Sequence, residues 1–551
     1  MATKWWGWGE EQRTFPLPHG EQFWAHVSSW LGELGVGQRI ESLAEVALPP
    51  SRLESKALDA LRAASGADSL STDSVDRAVH SLGKSYCDLV RIRRGEIPHA
   101  TDAVVYPETE EQVAALLNAA AERGIAVIPF GGGTSVLGGV EPLGSKPTVT
   151  LDLQRMNRLL QLDPLAATAT LEAGVLGPSL EQQLNANGFT LGHFPQSFEY
   201  SSLGGWIATR SAGQNSTLYG KIEHRVESLR MAFPGGTIAT PAVPAAAAGP
   251  DLNQMIAGSE GVLGVITQAT VRLAPLPKRC DYRGYVFPSF QAGVEASREL
   301  MQSGLTPSVL RLSDETETEV SLAMRPPPRA LMAAAEGLYL ALRRISFEGT
   351  ALMIVGFDGD EDQVRSDWRR AHRILRRHEG SSLGRRPGRA WERARFEHPY
   401  LRDLLLDHAI MVDTLETAVT WDRYLALYGS VRDAMAKAMD GRGLVMAHLS
   451  HAYSDGASLY YTFLARQAAG QEMEQWQQVK VAATDAIIAA GGALSHHHGI
   501  GSDHQPWMSR YLGPAGVRTL AALKQTFDPH GLMNPGKLMP TSEDDSDVSD
   551  V

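Results

Sequence analysis

Three consecutive histidines, His496, His497 and His498, lie in the string GGALSHHHGIGSDHQPW. Imidazoles titrate near neutral pH, so such a run can relay protons, hold an anion or ligate a metal. Far upstream, from Pro129 to Gly139, the chain reads PFGGGTSVLGG. Glycines lack a Cβ and let backbone N–H groups close on an anion. A glycine loop after an apolar strand therefore has the composition of a phosphate cradle. Together the two strings suggest one cofactor site fed by distant parts of the chain.

Two familiar phosphate loops are excluded. A Walker loop needs lysine after its last glycine, and Gly138 is followed by Gly139. A Rossmann fingerprint needs GxGxxG opening a helix. Here Gly131 and Gly133 are followed by Val136, and the downstream chain reads as strand. Two more glycine-studded strings support a cofactor: GSEGVLGVIT from Gly258 to Thr267, and PQSFEYSSLGGWIATRSAGQNSTLYG from Pro195 to Gly220. Arg210 in the second is a candidate anion contact. The histidines could instead take a metal with His448, His451 and His504. Neighbours on an extended chain alternate faces and few acidic residues flank them, so no metal is expected.

The elements that must position these groups come next. A chain of 551 residues implies more than one domain. No apolar run approaches a membrane span. Two cysteines, Cys87 and Cys280, exclude a disulfide framework. The net charge of −12 argues against general nucleic-acid binding. One basic stretch, Arg365 to Arg395, is either a solvated helix and loop or a surface for anionic lipid headgroups. The N-terminus carries no secretory signal, so a cytoplasmic protein is expected.

Residues 1–99 look mostly helical. From Ala100 strands such as AVVYPET and IAVIPF alternate with helices such as EEQVAALLNAAAERG, up to about residue 277. The pattern predicts α+β or α/β layering. A second alternating region covers 278–500, and a C-terminal segment, 501–540, follows. The second region's string RPPPRALMAAAEGLYLALRRISF, from Arg325, is either a core helix or the wall of a lipid tunnel. The acidic tail, 541–551, is expected to be disordered.

These strings carry a resemblance. PFGGGTSVLGG, GGWIATRSAG and GSEGVLGVIT resemble the flavin-binding motifs of the vanillyl-alcohol oxidase type of FAD-binding domain. DPHGLMNPGKL is similar to that superfamily's C-terminal segment. KWWGWG, LRDLLLDHAIMVDTLETAVTWDR, SHAYSDGASLYYTF and SHHHGIG narrow it to the alkyldihydroxyacetonephosphate synthase (alkylglycerone-phosphate synthase) family, over about Lys4 to Leu538. The fold so implied is α+β: a two-subdomain FAD-binding domain with an α+β cap domain for substrate, the last segment returning to the FAD domain. The implied reaction is redox-neutral. It exchanges the acyl group of acyl-dihydroxyacetone phosphate for a long-chain fatty alcohol through a bond to flavin N5.

Matched position by position, noncovalent FAD would be held by Pro129, Phe130, Gly131, Gly132, Gly133, Thr134 and Ser135. A second group is Gln196, Ser197, Phe198, Glu199, Tyr200, Ser201 and Ser202. Thr209, Arg210, Ser211 and Ala212 follow, then Glu260, Gly261, Val262, Leu263, Gly264, Val265 and Ile266. Tyr460 matches the catalytic tyrosine, and His496, His497 and His498 the histidine triplet. Arg402 matches a substrate-binding arginine, and Arg311 one needed for activity. Tyrosine ionises near pH 10, so Tyr460 needs a neighbouring cation or histidine to act as a base. From its residues alone, Tyr460 in SLYYTFLA reads as strand packing. The resemblance also implies a homodimer with peripheral contact at the inner face of a membrane. Gln196 stands where animal members have aspartate. NPGKL is closer to FAD-linked 2-hydroxy-acid dehydrogenases, so an FAD-linked oxidase or dehydrogenase of a hydroxy acid or alcohol is the alternative.

Overall fold

The computed structural model describes residues 3–17, 20–325 and 347–540. The apolar string from Arg325 falls almost entirely outside them, as does the acidic tail.

Three larger sheets stand among the described residues. The first orders its strands Leu70–Ser71, Ala103–Val105, Thr148–Asp152 and Ala126–Phe130, the last three parallel. Parallel neighbours need a crossover, here helix Glu110–Ala121. Thr109 caps that helix, its hydroxyl accepting from Gln112 N at 3.2 Å. Gly124, at φ +64°, turns the chain out of the helix. Strand Ala126–Phe130 then runs straight into the glycine loop. The second sheet is antiparallel, in the order Leu159–Asp163, Thr168–Glu172, Val265–Arg272, Val226–Phe233, Gly236–Ala239. Both sheets feed one core that includes Leu116, Val149, Leu171, Trp206 and Val265.

The third sheet has seven antiparallel strands, ordered Ser381–Gly384, Arg279–Phe287, Ala351–Gly359, Val309–Ser313, Gly443–Ala452, Gly456–Arg466, Ile410–Thr420. Strand residues alternate faces. Met411, Leu415, Val445, Leu449, Tyr461 and Phe463 point into a core shared with helices Phe290–Gln302, Glu361–Arg377, Tyr424–Ala438 and Glu472–Ala489. Val412, Thr414, Met446, His448, Tyr460 and Thr462 point the other way, into a cavity.

The first hundred residues spread over these bodies. Helix Gly20–Leu31 lays Phe23, Val27 and Leu31 against Leu405, Val412 and Met446. Helix Ser55–Ser65 inserts Leu61 into the core of the first two sheets, and helix Tyr86–Arg93 puts Tyr86 and Leu89 into that of the third. After helix Met508–Phe527 the chain returns to the first sheet. Val127 N donates to Leu532 O, and Asn534 N to Val127 O, each at 2.9 Å.

Candidate functional site

A cavity of about 420 Å³ lies between the glycine loop and the open face of the seven-stranded sheet. All seven residues from Pro129 to Ser135 line it. The glycines are needed by packing as well as by any ligand. A Cβ on Gly132 would lie 1.6 Å from Tyr200 O, and one on Gly131 2.2 Å from Ser202 Oγ. With the loop pressed against residues 200–202, the N–H groups of Gly132, Gly133 and Thr134 donate to no acceptor among the described residues. Free N–H groups on a glycine cradle are what a pyrophosphate requires, so the site fits FAD. Gly132→Ala is expected to give protein largely free of flavin, read as flavin absorbance per chain after purification.

The cradle is braced from three sides. Glu260, buried and at φ +50°, accepts from Ile500 N and Gly501 N at 2.6 and 2.7 Å. Burial pushes its carboxyl up to about 7, against the pull of those two N–H groups. Asn534 of NPGKL donates to Glu260 O and Gly139 O at 2.7 and 3.1 Å. The C-terminal segment thus ties two glycine strings together.

Tyr460 stands opposite the cradle. Strand register puts Glu416 and His448 directly beside it on the two neighbouring strands. The His448 ring stacks on Tyr460 at 4.8 Å, and His497 lies on it at 6.1 Å, while His498 meets it edge-on at 5.5 Å. Burial pushes the phenol up to about 12, with Asp413 and Glu416 adding to the rise and Thr414 and Arg311 opposing it. The expected help from a histidine is missing. Burial lowers the pKa of His448, His497 and His498 too, so these rings are neutral.

Glu416 holds the triplet in place. Its carboxylate accepts from Ser495 Oγ at 2.7 Å and from the backbone N–H groups of His496, His497 and His498 at 2.6, 3.1 and 2.9 Å. Burial pushes this carboxyl up, but the three histidines and Ser495 outweigh it and hold it well below the usual carboxylate range. Glu416, His496 and His497 offer three ligand atoms within 4.8 Å of one another. The carboxylate oxygens, however, are committed to the loop. Only His497 and His498 reach the cavity. His496 lies behind them, its Nε2 2.7 Å from Tyr453 OH and its Nδ1 2.9 Å from His497 Nδ1.

Two arginines line the same cavity in opposite electrostatic states. Arg311 is compensated: its Nη2 bonds Glu317 Oε1 at 2.6 Å, and Glu317 Oε2 sits 3.1 Å from His448 Nδ1. Arg402 is not. Its Nη1 donates to Lys84 O at 2.6 Å, but its Nε has no partner and no carboxylate lies within 4 Å among the described residues. Burial lowers its pKa, yet guanidinium stays charged at neutral pH. Asp403 and Asp413 act on this half-buried cation only from beyond ion-pair distance, which leaves it open to an anion in the cavity. The same cavity is lined by Phe23, Val27, Met324, Leu405 and Leu464, members of one apolar cluster that gives it an apolar arm.

Of the remaining motif residues, Gln196, Ser197, Ser201, Ser202, Thr209, Ser211, Ala212, Gly261, Gly264, Val265 and Ile266 line the cavity. Six face elsewhere. Phe198, Val262 and Leu263 are core. Glu199 pairs with Arg13, and Tyr200 OH bonds Tyr400 OH at 2.8 Å. Arg210, read as an anion contact, adopts φ +51° and turns its guanidinium to Ala257 O and Gln254 O. Glu416, Glu317 and Trp8 escaped sequence reasoning. His451 was considered only as a metal ligand. It sits at φ +44° in a bulge of its strand, its ring 5.4 and 5.1 Å from those of His496 and His497.

Comparison with known proteins agrees with this geometry. Residues 101–240 match an FAD binding domain, and 276–538 match the C-terminal domain of FAD linked oxidases. The chain is 37% identical to an alkyldihydroxyacetonephosphate synthase of Dictyostelium discoideum, over 87% of this chain and 80% of that protein. It is 34% identical to the enzyme of the same name from Trypanosoma brucei brucei, over 98% and 92%. A solved alkyldihydroxyacetonephosphate synthase superposes with a TM-score of 0.85 at 31% identity, covering 97% of this chain and 99% of that one.

Proposed function

The chain belongs to the alkyldihydroxyacetonephosphate synthase family, and from that premise we propose that it makes an ether lipid. In this reading a long-chain fatty alcohol replaces the acyl group of acyl-dihydroxyacetone phosphate with no net redox change. The observation that carries it is the uncompensated Arg402, sharing one cavity with Tyr460 and an apolar arm. The guanidinium takes the phosphate, and the arm takes the hydrocarbon chain. Tyr460 removes the proton from C1 of the substrate. His497 and His498, neutral and fixed by Glu416, accept or donate hydrogen bonds to the leaving carboxylate and the entering alcohol without adding charge. Residues of the glycine cradle would hold FAD noncovalently, and FAD would supply electrophilic chemistry at N5. Lipid delivery implies peripheral contact with a membrane by a cytoplasmic homodimer. Exposed Arg369, Arg373 and Arg376 offer cations for that contact.

A second reading, an FAD-linked oxidase or dehydrogenase, is favoured by the match to the oxidase C-terminal domain. An anaerobic visible spectrum separates the two. Flavin bleaching by palmitoyl-dihydroxyacetone phosphate that reverses with hexadecanol supports ether formation. Bleaching by a 2-hydroxy acid, with no response to the acyl substrate, supports the oxidoreductase. Arg402→Met is expected to raise KM for the acyl substrate by about 100-fold, the scale of a lost charge-assisted phosphate contact. It should leave the melting temperature unchanged or higher, because a half-buried cation without an ion pair is removed. An unaltered KM would sink the assignment.

A further inference from the structure

The N-terminal segment reaches the same cavity. Thr3 pairs with Glu10, folding KWWGWG into a strap that lies against helix His398–Asp407 and residues 199–200. Lys4 Nζ donates to Asp403 Oδ2 at 3.2 Å, and Trp8 N donates to the same oxygen at 3.0 Å. Arg13 pairs with Glu199, and Glu10 N donates to Tyr200 OH at 3.3 Å. The fit is close. A Cβ on Gly7 would meet Asp403 Oδ2 at 2.5 Å, and one on Gly9, at φ +70°, Tyr400 OH at 2.2 Å.

This docking has an electrostatic result. Asp403 adjoins Arg402, but Lys4 and Trp8 N–H occupy its Oδ2. Asp403 still acts on the neighbouring guanidinium through space, but the two form no ion pair. Trp8 itself lines the cavity, is 4% exposed, and its Nε1 has no hydrogen-bond partner among the described residues. An indole N–H is a donor with no acceptor capacity, and buried without a partner it is unfavourable. Two residues that line one cavity, Trp8 and Arg402, thus each carry a buried donor without a partner among the described residues.

We propose that Trp8 is a substrate-binding residue: its indole N–H donates to a phosphate-ester oxygen held by Arg402. The proposal rests on the functional reading above. It adds that the strap of residues 3–10 sets Trp8 as a wall of the headgroup pocket.

The test titrates FAD-loaded protein with sn-glycerol 3-phosphate, and with glycerol as the uncharged control, following the flavin absorbance difference. Trp8→Phe keeps the apolar ring and deletes the N–H. It is expected to bind the phosphate ester about tenfold more weakly, one hydrogen bond to a charged group, with FAD content unchanged. Equal affinity in W8F and wild type overturns the contact, as does wild-type protein that ignores the ester. Wild-type protein that binds the ester, with W8F weakened, but never turns over the acyl substrate supports the contact and overturns the ether-forming reaction. Should W8F fail to load FAD, wild-type protein with 15N-labelled indoles answers the question. One of the 11 tryptophan N–H resonances should move downfield with the ester and not with glycerol. No such shift overturns the proposal.

Discussion

Tyr460→Phe is expected to lower turnover by about 10³-fold, within the 10²–10⁴ range of a lost general base, while FAD content and melting temperature stay near wild type. The ring keeps its place between His448 and His497, so packing survives and only the hydroxyl is lost. The pH profile gives the sharper result. With its pKa pushed up to about 12, the phenol is protonated at neutrality, and only the small ionised fraction can act as a base. That fraction grows tenfold per pH unit below the pKa, so kcat/KM should climb at about that slope between about pH 7 and 9. In the variant the slope should vanish. Full activity in Y460F, or a flat wild-type profile, would remove Tyr460 from the base role.

Glu416→Ala should carry the largest cost to stability. Four donors lose their acceptor at once: the Ser495 hydroxyl and three backbone N–H groups. Hydrogen bonds to a charged group contribute about 1.5–3 kcal/mol each, so a loss of at least about 4 kcal/mol is expected, along with more than 100-fold in activity. The sign with pH follows from the depressed carboxyl. Its folded pKa lies below the unfolded value of about 4.3, so its stabilisation is complete above that pH and fades as pH falls through the folded value. Chemical denaturation should show a constant gap between wild type and E416A from about pH 5 to 7, narrowing in stronger acid. A gap that stays constant into strong acid would mean that Glu416 is not held as an anion.

Much of the cofactor half was legible because its signals are local. The glycine loop, its preceding strand and the capped helix Glu110–Ala121 each occupy a dozen residues or fewer. Tyr460 was legible only through family resemblance, since an alternating SLYYTF looks the same in any half-buried strand. Glu416 was hidden because its partnership with the triplet spans 80 residues and depends on strand register. Arg210 misled for the opposite reason. An arginine among glycines suggests an anion, but a left-handed backbone turned it toward two carbonyls. The state of Arg402 was invisible too, because its surroundings include a strap some 395 positions away that bonds the adjacent Asp403.

That strap also orders events during synthesis. Trp8 leaves the ribosome 395 residues before Asp403, which its backbone N–H must meet. At about 5–20 residues per second the interval is about 20 to 80 s. For all that time a newly made N-terminus rich in tryptophan has partners only in the earlier chain, such as Glu199 and Tyr200, and lacks helix His398–Asp407. Chains that stall before helix His398–Asp407 lack both the headgroup wall and the C-terminal braces of the glycine cradle, Ile500, Gly501 and Asn534.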